Sequence, residues 1–144
     1  MSPDAPGAPL DPPVARGRIL LAEDHLINQL TVVMILEDLP VDIVCVENGE
    51  QAVDAARRES WNLILMDMQM PVMDGLTAIR LIRDQEASAG RRRTPICVVT
   101  ANGFPEHREA SGAAGADHFL PKPILASVLV ALAREHLASD GAAA

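Results

Sequence analysis

Long apolar runs are absent from this sequence, and no segment approaches the ~20 apolar residues that a membrane-spanning helix requires. The first residues are rich in proline and alanine and lack the apolar core of a secretory signal, so we expect none. Cysteine is also scarce: Cys45 and Cys97 are the only two, each within an apolar, strand-like segment. This setting favours buried, reduced thiols over a disulfide or a metal pair and predicts a cytoplasmic protein.

Positive charge is the next deficit, with 12 lysines and arginines against 20 aspartates and glutamates and a formal net charge of -8. Because nucleic acid binds proteins mainly through basic side chains on its phosphates, this balance argues against non-specific nucleic-acid binding. One basic run, Arg91 to Arg93, departs from the trend. It is most simply interpreted as a solvated loop.

Strand-like and helix-like patterns alternate along the chain. The length of 144 residues and the 49% hydrophobic content fit one globular domain. Predicted strands lie at residues 18–22, 41–46, 63–66, 95–100 and 115–120, and predicted helices at 26–39, 50–59, 76–89, 106–114 and 124–137. This alternation predicts an α/β fold, a doubly wound parallel sheet of five strands with five helices. The flavodoxin-like strand order 2-1-3-4-5 is the common small one.

The chain ends are predicted to lie outside this domain. Residues 1–15 are rich in proline and alanine without apolar periodicity, so they are predicted to be a disordered tail or a linker. Residues 16–138 form the predicted domain, and residues 139–144 are predicted to be a frayed tail.

Polar side chains stand at the ends of four predicted strands: Glu23 and Asp24 after the first, Asp67 after the third, Thr100 at the end of the fourth and Lys122 after the fifth. In the order 2-1-3-4-5 these four strands are neighbours, so their carboxyl ends share one edge of the sheet. Three carboxylates at that edge would repel one another by about 4 kcal/mol per pair at ~4 Å and an effective dielectric near 20. We therefore expect cations beside them.

The donor types indicate which cations these are. The set contains no histidine or cysteine, which disfavours zinc and copper and favours Mg²⁺, with Lys122 as a second cation. A carboxylate beside magnesium and lysine can accept a phosphoryl group, and the two cations would offset charge on the transferred group. Thr100 would supply a hydroxyl group to a phosphoryl oxygen.

Four motifs in this order resemble the response-regulator receiver domain of two-component signalling, over roughly residues 16–138. They are Leu21-Ala22-Glu23-Asp24, the segment from Leu65 to Gly75 (LMDMQMPVMDG), Val99-Thr100-Ala101, and Gly115-Ala116-Asp117 with Lys122-Pro123. The stretch from Glu23 to Gln29 and the run Met68-Gln69-Met70 look most like receivers found in hybrid histidine kinases.

The resemblance implies a role for each matching residue. Asp67 would be the phosphoacceptor, Asp24 a direct magnesium ligand, Glu23 a ligand largely through water, and Gln69 a ligand through its backbone carbonyl. Lys122 would pair with Asp67 and then with the phosphoryl group. The Lys122-Pro123 peptide bond would be cis, which a bond to proline permits at modest cost.

The resemblance also implies a switch and a lifetime control. Thr100 and Phe119 match the switch pair, which would reshape the face of the fourth helix, fifth strand and fifth helix, although an aromatic residue in a short strand could simply be core. Gln69 and Asn102 match positions that tune dephosphorylation. The implied partners are a histidine kinase or histidine phosphotransfer protein and a downstream protein that reads the switched face or takes the group onward.

Other function classes remain open at this stage. A hydrolase that works through an aspartyl phosphate would need a second aspartate two residues after the nucleophile, where this chain has Gln69. A phosphorylation-independent interaction module, such as an intramolecular regulator of a histidine kinase, would be favoured by loss of an acid, the acceptor or the lysine, and none is lost. No glycine-rich phosphate loop follows the first strand, which disfavours nucleotide binding.

The remaining expectations concern histidines and output. The four histidines are His25, His107, His118 and His136. They are scattered over unrelated predicted elements, and none looks like a phosphotransfer histidine. No output domain is expected after Leu137, and no enzyme activity beyond self-catalysed phosphotransfer and slow autodephosphorylation. A stand-alone regulator and the receiver of a hybrid kinase both fit these expectations.

Overall fold

The computed structural model describes the backbone of residues 16–101 and 103–143 and the side chains of residues 16–101 and 103–137. Five strands and five helices alternate: β1 Gly17–Ala22, α1 Leu26–Ile35, β2 Val41–Val46, α2 Gly49–Arg58, β3 Leu63–Asp67, α3 Gly75–Ala89, β4 Ile96–Thr100, α4 Pro105–Ala114, β5 His118–Pro121 and α5 Ala126–Ala143. Within these residues, no helix combines the length and apolar character that crossing a bilayer requires.

All strand pairs are parallel, and the order is β2-β1-β3-β4-β5. The predicted doubly wound, flavodoxin-like fold is therefore confirmed. Two element bounds differ clearly from prediction. The first helix ends at Ile35 and continues to Leu39 only as turns, with Leu39 N–H donating to Leu36 O at 3.0 Å. The last helix extends through Ala143, beyond the predicted end at Leu137. The division into tail, domain and frayed end stays a prediction, and residues 1–15 lie outside the described residues.

Two apolar clusters cover the two faces of the sheet, because successive side chains of a strand point to opposite faces. Ile19 and Leu21 of β1 join the cluster packed under α1 and α5. Leu20 and Ala22 join the cluster packed under α2, α3 and α4. All five residues of β3 and of β4 are buried. The central strands thus have core on both faces, and this packing fixes the position of their last residues at the carboxyl edge of the sheet.

The prediction of two buried thiols is half wrong. Cys97 is buried in β4, and this burial raises the pKa of its thiol to about 12. Cys45 is exposed, and it lies on β2, the edge strand of the sheet, which has a neighbouring strand on one side only among the described residues. Neither forms a disulfide with the other.

The basic run is a loop, as predicted, with Arg92 and Arg93 exposed, but its side chains also hold neighbouring segments together. Arg91 Nη1 donates to the carbonyl oxygens of Ala56 and Arg57, both at 2.9 Å, and its Nη2 donates to that of Glu59 at 3.2 Å. These carbonyls close the C-terminal end of α2, where helices leave acceptors without intrahelical donors. Arg93 donates to Asp117 and to the Gly115 carbonyl.

Candidate functional site

The predicted polar residues converge at the carboxyl edge of the sheet. Asp67 is the last residue of β3 and Thr100 the last of β4, while Glu23 directly follows β1 and Lys122 directly follows β5. The relative exposure of Glu23, Asp67 and Thr100 is only 3%, 6% and 3%. The strand order is responsible, since β1, β3, β4 and β5 are consecutive neighbours and β2 stands outside them.

Lys122 connects two of the carboxylates. Its Nζ lies 3.1 Å from Glu23 Oε1 and 3.4 Å from Asp67 Oδ2. Burial alone would lower the pKa of Lys122, but the hydrogen bond and charge of Glu23 and the charge of Asp67 outweigh it and raise the pKa. The ammonium group is therefore held in its charged form beside Asp67. The Lys122-Pro123 peptide bond is cis, as predicted.

The Asp67 carboxylate is in an environment that disfavours its negative charge. Burial is the largest influence and raises its pKa, and the nearby Glu23 charge acts in the same direction. The backbone N–H of Gln69, 3.1 Å from Asp67 Oδ1, and the Lys122 ammonium oppose this rise without cancelling it. One lysine is thus insufficient to balance the charges at this edge, which favours binding of a second cation.

Asp24 provides a direct sign of where that cation would lie. Its Oδ1 is buried and has no hydrogen-bond partner among the described residues, although His25 Nε2 approaches it at 3.8 Å. One carboxylate oxygen from each of Glu23, Asp24 and Asp67 lies within 4.8 Å of the others. An oxygen-only donor set of this kind suits a hard divalent cation such as Mg²⁺. The residues present therefore fit the predicted metal.

The first turn of α3 lies in contact with the backbone of Asp67, and the sequence pattern did not predict this contact. Asp74 caps this helix, with Oδ1 accepting from Thr77 N–H at 2.9 Å, and Gly75 N–H donates to Met68 O at 3.0 Å. A Cβ atom at Gly75 would lie 2.2 Å from Asp67 O, which no side chain permits. The Asp-Gly pair after the Asp67 loop was the available signal.

The remaining predicted site residues have different positions. Gln69 is exposed at the rim, next to Asp67. Phe119 is half-buried in β5 and packs against the core cluster, with the Arg108 guanidinium of α4 lying 4.8 Å from its ring centroid. Asn102 lies outside the described residues. A cavity of about 210 Å³ opens beside Asp67 and Lys122, and Asn28 and Thr31 of α1 contribute to its wall.

Comparison with known proteins shows which family the chain belongs to. Residues 19–134 match the family described as the response regulator receiver domain. The chain belongs to this family. A receiver domain is a signalling phosphoacceptor module rather than a conventional enzyme, which excludes the hydrolase alternative.

The curated relatives include sensor kinases that are much longer than this receiver. The sensor protein GacS of Pseudomonas syringae pv. syringae is 37% identical over 126 residues, which cover 86% of this chain and 14% of GacS. The sensory/regulatory protein RpfC of Xanthomonas campestris pv. campestris (strain 8004) is 38% identical over 113 residues, covering 78% of this chain and 15% of RpfC. The chain therefore spans only a small part of the length of these relatives.

Solved structures of receiver domains have the same fold as this chain. The receiver domain of the sensor histidine kinase PA1611 from Pseudomonas aeruginosa PAO1 is 36% identical, with a TM-score of 0.76 over 86% of this chain and 99% of that one. That structure has a magnesium ion coordinated in its active-site cleft. The receiver of Ssk1 from Saccharomyces cerevisiae, crystallised with the histidine phosphotransfer protein Ypd1, is 27% identical, with a TM-score of 0.75 over 79% and 83% of the two chains.

Proposed function

We propose that this receiver accepts a phosphoryl group from a phosphohistidine onto Asp67, with Mg²⁺ bound beside it. One observation carries the proposal: the buried Asp67 carboxylate lies 3.4 Å from Lys122 Nζ and within a carboxylate cluster that includes the unpartnered Asp24 Oδ1. A nucleophile, a fixed ammonium group and a set of oxygen donors suited to a cation thus occupy one edge of the sheet.

The reaction would proceed through the protein's own side chains. An Asp67 carboxylate oxygen attacks phosphorus, the bond between phosphorus and the donor histidine nitrogen breaks, and that nitrogen keeps the electron pair. Lys122 would move from pairing with the carboxylate to offsetting the charge of the phosphoryl oxygens, and the Thr100 hydroxyl would donate to one of them. Glu23, Asp24, Asp67 and the Gln69 carbonyl would hold Mg²⁺, which supplies positive charge to the transferred group.

The phosphorylated receiver would signal through the face formed by α4, β5 and α5. Thr100 and Phe119 belong to neighbouring strands, and the ring of Phe119 is only half-buried, under Arg108 of α4. A shift of Thr100 toward the phosphoryl group would leave space for this ring to turn inward, tipping a pre-existing equilibrium. Gln69 and Asn102 would set the phosphoryl lifetime. A downstream partner would read this face, and the site of action would be cytoplasmic.

The donor would dock on α1. The opposite face of this helix lines the cavity beside Asp67. Its outer face exposes five large apolar side chains: Leu26, Ile27, Leu30, Val33 and Met34. A contiguous apolar surface next to a reactive group indicates a protein-binding site. The likeness to the Ssk1 receiver, which was crystallised with a phosphotransfer protein, supports a histidine phosphotransfer domain or histidine kinase as the occupant.

The proposal is tested by intact mass after incubation with acetyl phosphate, with and without Mg²⁺. We expect a magnesium-dependent gain of one phosphoryl group in the natural chain and none in Asp67→Asn. Asp54→Asn, at a partly exposed carboxylate on α2 that is paired with arginines, serves as the matched control and should label normally.

Labelling that persists in Asp67→Asn would move the acceptor elsewhere. If acetyl phosphate fails, a phosphorylated histidine phosphotransfer domain replaces it as the donor. A chain that remains unlabelled by both donors would be a phosphorylation-independent interaction module, and the proposal would be wrong.

A further inference from the structure

A second group of side chains of metal-binding types lies at the start of β5, the end of this strand opposite the acidic edge. His118 begins β5 and His136 lies in α5, and their Nε2 atoms are 2.8 Å apart. The two rings meet edge to face, with centroids 5.0 Å apart and an interplanar angle of 62°. Glu135 Oε2 is 3.9 Å from His136 Nε2. One donor atom from each of the three residues lies within 4.8 Å of the others.

The short distance between the two Nε2 atoms constrains the protonation of this pair. Two Nε2–H groups cannot point at each other at hydrogen-bond distance, so one nitrogen donates and the other accepts through its lone pair. The accepting Nε2 therefore presents its lone pair toward the space between the rings, and a lone pair on an imidazole nitrogen is the group that binds a metal ion.

We propose that His118, His136 and Glu135 form a binding site for a divalent transition metal of the zinc type, which bridges β5 and α5. Two imidazole nitrogens and one carboxylate oxygen are a donor set that zinc uses in proteins, with a fourth position left for water. The oxygen-only cluster at the other end of the sheet suits Mg²⁺ instead, so the two sites would separate the two kinds of cation.

The distances are close to those that zinc requires. Tetrahedral coordination with Zn–N bonds near ~2.05 Å places two nitrogens about 3.3 Å apart, so the rings need to separate by about half an ångström. Glu135 Oε2, 3.9 Å from His136 Nε2, needs to approach that nitrogen by a similar distance, and the Glu135 side chain, with 62% exposure, is free to rotate. The His136 side chain is only 13% exposed, which fixes one ligand in place before metal arrives.

Metal at this position would tie α5 to the start of β5. His118 directly precedes Phe119, so an occupied site would restrain the segment that carries the proposed switch residue. That consequence rests on the proposed function, whereas metal binding itself does not.

The test is a Zn²⁺ titration by chelator competition, carried out in excess Mg²⁺ and with Asp24→Ala in the background to remove the acidic cluster as a competitor. We expect one Zn²⁺ per chain. His118→Gln and His136→Gln should each weaken the affinity by at least about tenfold, since even loss of a group that supports a ligand commonly costs that much. His25→Gln and His107→Gln are the matched controls and should bind as the background does.

NMR spectra of the histidine rings provide a readout that does not depend on the folding of a variant. In the natural chain with excess Mg²⁺, Zn²⁺ should shift the ring signals of His118 and His136 and leave those of His107 in place. Absence of Zn²⁺ binding, or binding that survives both histidine substitutions, would overturn the proposal. The pair would then be a neutral hydrogen bond that joins β5 to α5.

Discussion

At the scale of single residues, the chemistry of this receiver depends on a carboxylate placed where its charge is unfavourable. Burial raises the pKa of Asp67, and Glu23 raises it further, while Lys122 offsets only part of the effect. A carboxylate in this condition gains from any cation that reaches it. The same condition that favours Mg²⁺ and phosphoryl transfer must therefore lower the stability of the metal-free fold.

Asp67→Asn should stabilise the metal-free protein at neutral pH by about 1 kcal/mol, near the lower end of what a poorly compensated buried polar group costs. Because the folded-state pKa of Asp67 is raised, the natural chain loses stability as the pH rises through that pKa. The advantage of the variant should therefore shrink in acid. Urea unfolding at neutral and acid pH measures it, and a variant less stable than its parent at neutral pH would contradict the argument.

Asp24→Ala tests whether the carboxylate cluster binds Mg²⁺. It removes the buried oxygen that has no hydrogen-bond partner, so Mg²⁺ affinity should fall by about tenfold or more, as expected for loss of a ligand. Magnesium titration followed by calorimetry or by thermal shift gives the affinity. Asp38→Ala, at an exposed acid far from the cluster, is the control. An unchanged titration in Asp24→Ala would remove this residue from the metal site.

At the scale of elements, the ends of helices and strands position the reactive groups. The first turn of α3 lies against the backbone of Asp67, and Gly75 is the residue that makes this approach possible. Farther along the same helix, Arg83 reaches Asp117, whose Oδ2 also accepts from the backbone N–H of Ile96 at the start of β4. These contacts fix β3, β4 and β5 relative to α3.

Gly75→Ala should lower the free energy of unfolding by about 1–3 kcal/mol, the usual range for overpacking, and should slow labelling of Asp67 by acetyl phosphate. The added Cβ would force either α3 or the Asp67 backbone to move. Gly112→Ala in α4 is the matched control, because a Cβ atom added there would have nothing within 4 Å. That substitution should stabilise the protein by up to about 1 kcal/mol through helix propensity. Equal effects of the two substitutions would refute the packing argument.

Asp117→Asn should destabilise the protein by about 1–3 kcal/mol at neutral pH, because Asp117 accepts charge-assisted hydrogen bonds from Arg83 and Arg93. Burial alone would raise the pKa of Asp117, but the hydrogen bonds from Ile96 N–H and Arg93 and the charges of the two arginines lower it.

A lowered folded-state pKa means that this stabilisation is present at neutral pH and is lost as the pH falls through that pKa. The difference between Asp117→Asn and its parent should therefore narrow in acid. Denaturant unfolding across the acid range measures the difference. Asp84→Asn, at an exposed carboxylate on α3, should match its parent throughout.

At the scale of the whole molecule, the two faces of the sheet have different surfaces. The α1 side exposes a set of large apolar side chains next to the acidic edge, including Ile27 and Met34 at 73% and 66% exposure. On the side of α2, α3 and α4, Leu81 is an exposed apolar residue away from that edge. The proposed docking of the phosphoryl donor on α1 would use the first surface and not the second.

The double variant Ile27→Ser, Met34→Ser should slow transfer from a phosphorylated histidine phosphotransfer domain by about tenfold or more, since burial of one such side chain contributes about 1.5–3 kcal/mol. Labelling by acetyl phosphate should stay unchanged, because that small donor needs no docking surface. Leu81→Ser is the control for loss of an exposed apolar group. A variant that labels normally from both donors would show that the donor docks elsewhere.

The sequence by itself determined the alternation of elements, the parallel sheet and the set of polar residues at its carboxyl edge. Glu23, Asp67 and Lys122 could be placed together because each follows a strand, and neighbouring parallel strands end at one edge whatever the side-chain packing. The motif spacing also indicated the family before any comparison of structures.

Only the tertiary structure decided how residues from distant segments meet. Cys45 is exposed on β2, which is the edge strand among the described residues, and Arg91 caps α2 across 34 or 35 residues of chain. His118 and His136 form a pair because α5 packs back over β5. Periodicity and turn signals describe the chain locally, whereas these contacts depend on where each helix packs against the sheet, which no local pattern encodes.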